Sequence, residues 1–337
     1  MTGARTYLDW NATAPLRPEA RAAVLAGLDL VGNPSSVHAE GRAAKMALER
    51  AREDVAAVVG CKPAEVVFTS GATEAAGALA GFAAVTVDPT AHDCLIAHAR
   101  GEGGILAMGL ANSETGVLSD TPARDDVLLD VVQAVGRVPF AFGWSGADLA
   151  ILSAHKLGGP KGVGALIVRD GLDIASLRPG GGQEKGRRSG TENLAGIMGF
   201  AAAAKAAEAE LNEGRWDDVR RLRDRLEALL LDAAPGSVIA GSDRPRLPNT
   251  TCIVTPGWKG ETQVMQMDLA GFAVSAGSAC SSGKVRASRV LQAMGFDERA
   301  AGSAIRISLG VATTEDEVTR LADAWAAHHA RFRARAA

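Results

Sequence analysis

Two side chains in this sequence have surroundings suited to covalent chemistry, Lys156 and Cys280. Lys156 stands in ILSAHKLGGPKGVGA (residues 151–165), between the apolar run Leu149 to Leu152 and a glycine-rich turn, after which ALIVR resumes as a strand. A lysine at a strand end beside a tight turn is poorly solvated. Partial burial lowers its pKa and raises the share of free amine, the form that condenses with a carbonyl. That is what a lysine-bound Schiff base requires; a solvated loop lysine is the alternative. Cys280 lies in SAGSACSSGK, among Ser, Ala and Gly. This composition predicts an exposed loop carrying a reactive thiol, whereas Cys61, Cys94 and Cys252 are expected to be structural or incidental.

Other residues have types and positions that fit a bound, charged small molecule. VLLDVVQAVG puts Asp130 and Gln133 at the end of an apolar strand. An acid there suits a cationic ring nitrogen and an amide suits a phenolic oxygen, with a helix cap by Asp130 as the alternative. EVVFTSGATEA reads as a strand (Val66, Val67, Phe68), a turn of small residues and a helix from about Thr73. Its unpaired amides at Gly71, Ala72 and Thr73, with the Thr73 hydroxyl, suit an anion such as a phosphate. The pattern is not a P-loop, and a capped turn without ligand remains open. AIRISLG places Arg306 on a strand, where its guanidinium can grip a carboxylate or form a salt bridge within its own domain.

These residues need elements that hold them. Strands alternating with helices up to about residue 170 indicate an α/β domain with a largely parallel sheet, whose strand carboxyl ends collect functional groups. Helices are expected from Glu19 to Leu28 and from Ala39 to Val59, the second capped by Ser35 or Ser36. RPGGGQEKGRRSGTEN has five glycines and three arginines in sixteen residues. Such a segment reads as surface, either mobile or reaching a ligand or another subunit. An Ala-rich helical region from Leu194 to about Asp232, interrupted near Gly214, leads to strands at Ser237 to Ala240 and Thr250 to Val254 and a last helix from Glu315 to Arg333.

With 337 residues, 47% of them hydrophobic, the chain can bury the cores of two domains. A formal net charge of −3 argues against nucleic acid or an anionic membrane as main partner. The four cysteines show no zinc or disulfide spacing, so neither a metal nor a disulfide framework is expected. No signal-peptide pattern opens the sequence and no long uncharged apolar run interrupts it; a reducing, cytoplasmic location is expected.

Taken in order, YLDWNAT, GNPSSVH, VFTSGATEA, AHD, ANSETG, LDVVQAVG, SAHKLGGPKGVGAL, GGGQEKGRRSGTEN, SAGSACSS and AIRISLG resemble the cysteine desulfurases of the NifS/IscS type, in the pyridoxal-phosphate-dependent class-V aminotransferase family. The resemblance covers nearly the whole chain. It implies the fold type I (aspartate-aminotransferase-like) architecture, with a large cofactor domain at 15–205 and a smaller α+β domain from 1–14 and 206–337. It also implies a homodimer.

Carried over by position, the family pattern makes Lys156 the lysine that binds pyridoxal 5'-phosphate. Asp130 pairs with the ring nitrogen, Gln133 bonds the ring hydroxyl and His92 stacks on the ring. Ala72, Thr73, Ser153 and His155 hold the phosphate, joined by Thr191 of a second copy. Arg306 and Asn33 bind the substrate carboxylate. Cys280 accepts sulfur from L-cysteine and passes it to an acceptor such as an iron–sulfur scaffold protein. The chain departs from the pattern in three places. Trp10 replaces a smaller residue, Ser113 replaces the second asparagine of an Asn-Asn-Glu motif near the ring hydroxyl, and the interval from His92 to Asn112 is short enough to lose a strand and a helix. Two other readings differ in what they require: a selenocysteine lyase or other β-eliminating enzyme works without Cys280, and a weakly catalytic regulatory partner turns over only with a full-length relative.

Overall fold

A computed structural model describes residues 5–276 and 287–336, so Cys280 lies outside the described residues. The chain divides into two compact units, one formed by Thr13–Ala111 with Ser119–Glu213, the other by Met1–Ala12, Asn112–Leu118 and Gly214–Ala337. The second unit opens the chain with the short strand β1 (Thr6–Tyr7). The first unit then begins with helices α1 (Pro18–Asp29) and α2 (Ala39–Val59).

The first unit is built on six strands: β2 (Val66–Thr69), β3 (Val85–Val87), β4 (Ile105–Gly109), β5 (Val127–Asp130), β6 (Leu149–Ser153) and β7 (Gly164–Val168). Their order across the sheet is β2-β7-β6-β5-β4-β3, and β7 alone runs against its neighbours. Helices α3 (Ala72–Ala76) and α4 (Asp93–Ile96) follow β2 and β3, and α5 (Leu194–Asn212) closes the unit. Apolar side chains cover both faces. Leu48, Val55, Phe200 and Ala203 pack on one side, Leu79 and Leu95 on the other. A sheet buried on both faces needs strands that are apolar throughout rather than alternating, which is why LAILS and GALIV are such runs.

Three local outcomes refine the sequence reading. Helix α2 spans the expected residues, but its cap is His38, whose Nδ1 accepts from the Gly41 N–H at 3.3 Å, and not Ser35 or Ser36. The upstream turn is closed by Asn33 Oδ1, which accepts from the Ser35 N–H at 2.9 Å, and leaves His38 to cap the helix. Between β3 and β4 the described residues hold only the short α4 and no strand, so β3 forms the sheet edge. The glycine-rich segment is not entirely surface. Glu184, in left-handed backbone at φ 48, turns inward and takes both Arg52 guanidinium arms at 2.8 Å, while its Oε2 also accepts from the Phe68 N–H at 2.9 Å.

The second unit continues with α6 (Arg215–Ala233), β8 (Val238–Ile239), β9 (Thr250–Val254), α7 (Gly260–Leu269), β10 (Phe272–Ala273), β11 (Ser275–Ala276), α8 (Arg289–Ala293), α9 (Glu298–Ala301), β12 (Ala304–Ser308) and α10 (Glu315–Ala336). Its antiparallel sheet has the order β11-β12-β9-β8, and β1 pairs in parallel with β10. Trp258 and Trp325 are buried and stack with His329 and Phe332 along α10. Among the described residues no helix is long and apolar enough to cross a membrane.

Candidate active site

The carboxyl ends of β2, β5 and β6 carry most of the residues singled out in the first unit. After β2 the chain turns at Gly71, with φ +157, into α3, which begins with Ala72 and Thr73. This turn lies tightly against β7: a Cβ on Gly164 would come within 2.7 Å of the Gly71 Cα, and one on Gly71 would sit 3.8 Å from Ser153 Oγ. Ser153 ends β6 and is buried, and a single short helical turn, Ala154–Lys156, presents His155 and Lys156. Asp130 ends β5 and pairs in register with Ile151 of β6.

The electrostatics join these ends. Burial pushes the Asp130 carboxyl up, against the Val132 N–H, which donates to Oδ1 at 3.0 Å, and against the fields of His92 and Lys156. Among the described residues no helix follows β5 directly, so Asp130 caps none; its bond to the Val132 N–H lies within a turn. His92 caps α4: its Nδ1 accepts from the Cys94 N–H at 3.2 Å, which leaves the neutral ring's proton on Nε2. Burial, then the charges of Lys156 and Lys161, hold the His155 imidazole down to about 4, so it is neutral near pH 7. Its Nδ1 lies 3.2 Å from Thr13 Oγ1.

The glycine-rich segment is tied to the same turn. Arg178 and Arg188 both donate to Glu74 Oε1, at 3.1 and 3.2 Å, and Glu74 Oε2 accepts from the Ser70 N–H at 2.5 Å. Burial works against this carboxylate, but the Ser70 hydrogen bonds and Arg188 outweigh it and hold Glu74 down to about 2. Thr191, further along that segment, is exposed, as is Asn33 in its own turn.

In the second unit Arg306 is buried on β12, and the salt bridge that the sequence left open is formed. Its Nη2 donates to Asp9 Oδ1 at 2.8 Å, its Nη1 donates to the Ser113 carbonyl at 3.1 Å, and its buried Nε finds no partner among the described residues. Asp9 Oδ2 accepts from Ser275 Oγ at 2.7 Å, and the Ser113 carbonyl also accepts from Asn11 at 3.1 Å. At position 113 it is thus the main chain that engages Arg306. Trp10 packs over Gly310, where any Cβ would meet the indole.

The class-V aminotransferase family model matches residues 6–117 and 104–321. A cysteine desulfurase of Cereibacter sphaeroides is 39% identical over 367 aligned residues, covering 94% of this chain and 94% of that protein. The chain belongs to this family, among its cysteine desulfurases. A second desulfurase, from Frankia sp. (strain EuIK1), is 38% identical over 94% of this chain and 89% of its own. The solved NifS-like protein of Rickettsia africae ESF-5 superposes with a TM-score of 0.86 at 29% identity, over 95% of this chain and 98% of that one. The desulfurase shares with these proteins the fold type I architecture expected from its motifs.

The family depends on pyridoxal 5'-phosphate, and the residues at the strand ends of this desulfurase fit that group. A carboxyl destabilised by burial at Asp130 matches a ring nitrogen that brings a positive charge, and the Gly71 turn leaves open backbone beside the Ser153 hydroxyl. Cys252 and Cys61 have no comparable setting: burial first, then nearby carboxylates, pushes both thiols up to about 12, and burial raises Cys94 as well.

Sequence reasoning did not single out Arg137, Glu74 or Asp9. For Arg137 a signal was available, since an arginine four residues after Gln133 interrupts the otherwise apolar and small string VVQAVGRV. No local pattern marks Glu74 or Asp9.

Proposed function

We propose that the chain converts L-cysteine to L-alanine with pyridoxal 5'-phosphate held on Lys156, and carries the released sulfur as a persulfide on Cys280. The observation that supports this most directly is the lysine turn at the end of β6 beside a buried acid at the end of β5, each within the other's electrostatic reach. When bound, the cofactor supplies an electrophilic carbon and an electron sink. Asp130 keeps a proton on the ring nitrogen, Gln133 donates to the ring hydroxyl, and His92 covers the ring face. Ala72, Thr73, Ser153 and His155 take the phosphate. Thr191 of a second copy joins them, which makes a homodimer the working form.

Arg306, with Asn33, binds the substrate carboxylate. Lys156, once its amine is displaced, moves a proton at the substrate Cα. The Cys280 thiolate attacks the substrate sulfur: the new S–S bond forms as the substrate's Cβ–S bond breaks, and the electron pair stays on the carbon skeleton, which takes up protons and leaves as alanine. The persulfide then passes to a cytoplasmic acceptor, most simply an iron–sulfur scaffold protein. The test is alanine formation from L-cysteine with a reductant present, for the parent and Cys280→Ala. Alanine from the parent and almost none from the variant is the expected result. Equal alanine from both points to a lyase of the selenocysteine-lyase type that works without Cys280, pyruvate and sulfide from both point to a β-eliminating lyase, and no product from either points to a required partner.

A further inference from the structure

Arg137 is 3% exposed, on the irregular turn after β5, and burying a guanidinium there is costly unless its donors are used. Two of them are used on residues of the proposed cofactor site. Nη1 donates to the side-chain oxygen of Gln133 in a short bond, and Nη2 donates to the main-chain oxygen of Lys156 at 3.2 Å. The second contact completes a series. The carbonyls of His155, Lys156 and Leu157 are each taken by a donor, respectively the Ala14 N–H at 2.9 Å, Arg137, and Arg17 Nε at 2.7 Å. The backbone that carries the lysine is thus pinned at three consecutive positions.

The first contact has a chemical consequence. An amide side chain can present either its oxygen or its NH2 in a given direction, and the two ends are nearly identical in size. By taking the Gln133 oxygen, Arg137 turns the NH2 the other way.

We infer that Arg137 is a positioning residue: it fixes the Gln133 amide so that a hydrogen-bond donor faces the cofactor's ring hydroxyl, and it holds the turn bearing Lys156. The inference rests on the reading of Gln133 and Lys156 given above. A donor facing that oxygen stabilises its ionised form; an amide released to flip presents an acceptor and favours the protonated form. A planar guanidinium can serve two acceptors in different directions at once, whereas an ammonium is a single point donor.

The test is the pH titration of the visible absorption band of the cofactor-loaded protein, for the parent, Arg137→Met, Gln133→Ala and the double variant. Arg137→Met is expected to move the midpoint upward by about one pH unit and to weaken cofactor retention on dialysis about tenfold. In the Gln133→Ala background it should add little further shift, because the two changes act through one contact. An unmoved midpoint in Arg137→Met alongside a shift in Gln133→Ala overturns the inference alone; an unmoved midpoint in Gln133→Ala overturns the reading of Gln133 and the inference with it. Should Arg137→Met be insoluble, Arg137→Lys carries the test. A smaller upward shift, with the melting temperature of the cofactor-free protein retained, supports the two-armed role, and no shift overturns it.

Discussion

The centre and the edge of the six-stranded sheet differ in what they bury and in what they tolerate. At the centre, β5, β6 and β7 are covered on both faces, and β5 ends in Asp130 and β6 in the turn of Ser153, His155 and Lys156. At the edge, β3 has three residues, with Val85 inside and Thr86 exposed, and is followed by one short helix before β4. The shortened interval of the chain falls at this edge. A parallel sheet can lose material at its rim because a peripheral strand supports only one neighbour, whereas each central strand positions chemistry and two partners. Length is therefore a poor guide to whether such a site is intact.

Lys156→Ala tests the centre most severely. It should reduce alanine formation to background and remove the visible absorption band, measured on the purified protein with cofactor added; a retained band would move the anchoring role to another lysine. Leu129→Ala, on β5 and fully buried, should destabilise the first unit by about 2–5 kcal/mol in urea unfolding. A much smaller loss would mean that the centre is less tightly packed than described.

His155 gives a graded effect. Its imidazole is held at about 4 in the folded protein, below the ordinary 6.5, so the unfolded chain takes up a proton first as pH falls. The stability that this neutral ring contributes is present above about pH 6.5, is lost progressively as pH falls, and is gone below about 4. His155→Asn should flatten part of the decline in melting temperature between those two values, and an unchanged slope would contradict the depressed pKa. At the edge, Thr86→Lys should change stability by less than about 1 kcal/mol, although the Thr86 hydroxyl donates to the Gly103 carbonyl at 2.9 Å. A larger loss would erase the contrast between edge and centre.

What the sequence made legible follows the same division. Apolar runs ending in Asp130 and Lys156 announce buried strands with functional ends, because nothing else in the chain gains from placing such groups there. The span of α2 was readable from its periodicity, but its cap was not: Ser35 and His38 compete for that role, and only the Asn33 turn decides between them. Glu184 was illegible for a more general reason. Composition reports how a segment is solvated on average, and one carboxylate directed into the core of a glycine-rich string does not change that average. Arg306 was placed on its strand correctly, yet its ion pair with Asp9 joins positions far apart in sequence, and no local pattern encodes it.

The high thiol pKa values bear on sulfur economy within the molecule. At neutral pH thiols pushed up to about 12 stay protonated, and a protonated thiol is a poor nucleophile toward a disulfide or a persulfide. Cys61 and Cys252 are thereby insulated from any persulfide that the chain bears elsewhere. A sulfur atom carried on Cys280, as proposed, has no competing parking place on these two residues, and its onward route is left to whichever molecule docks next.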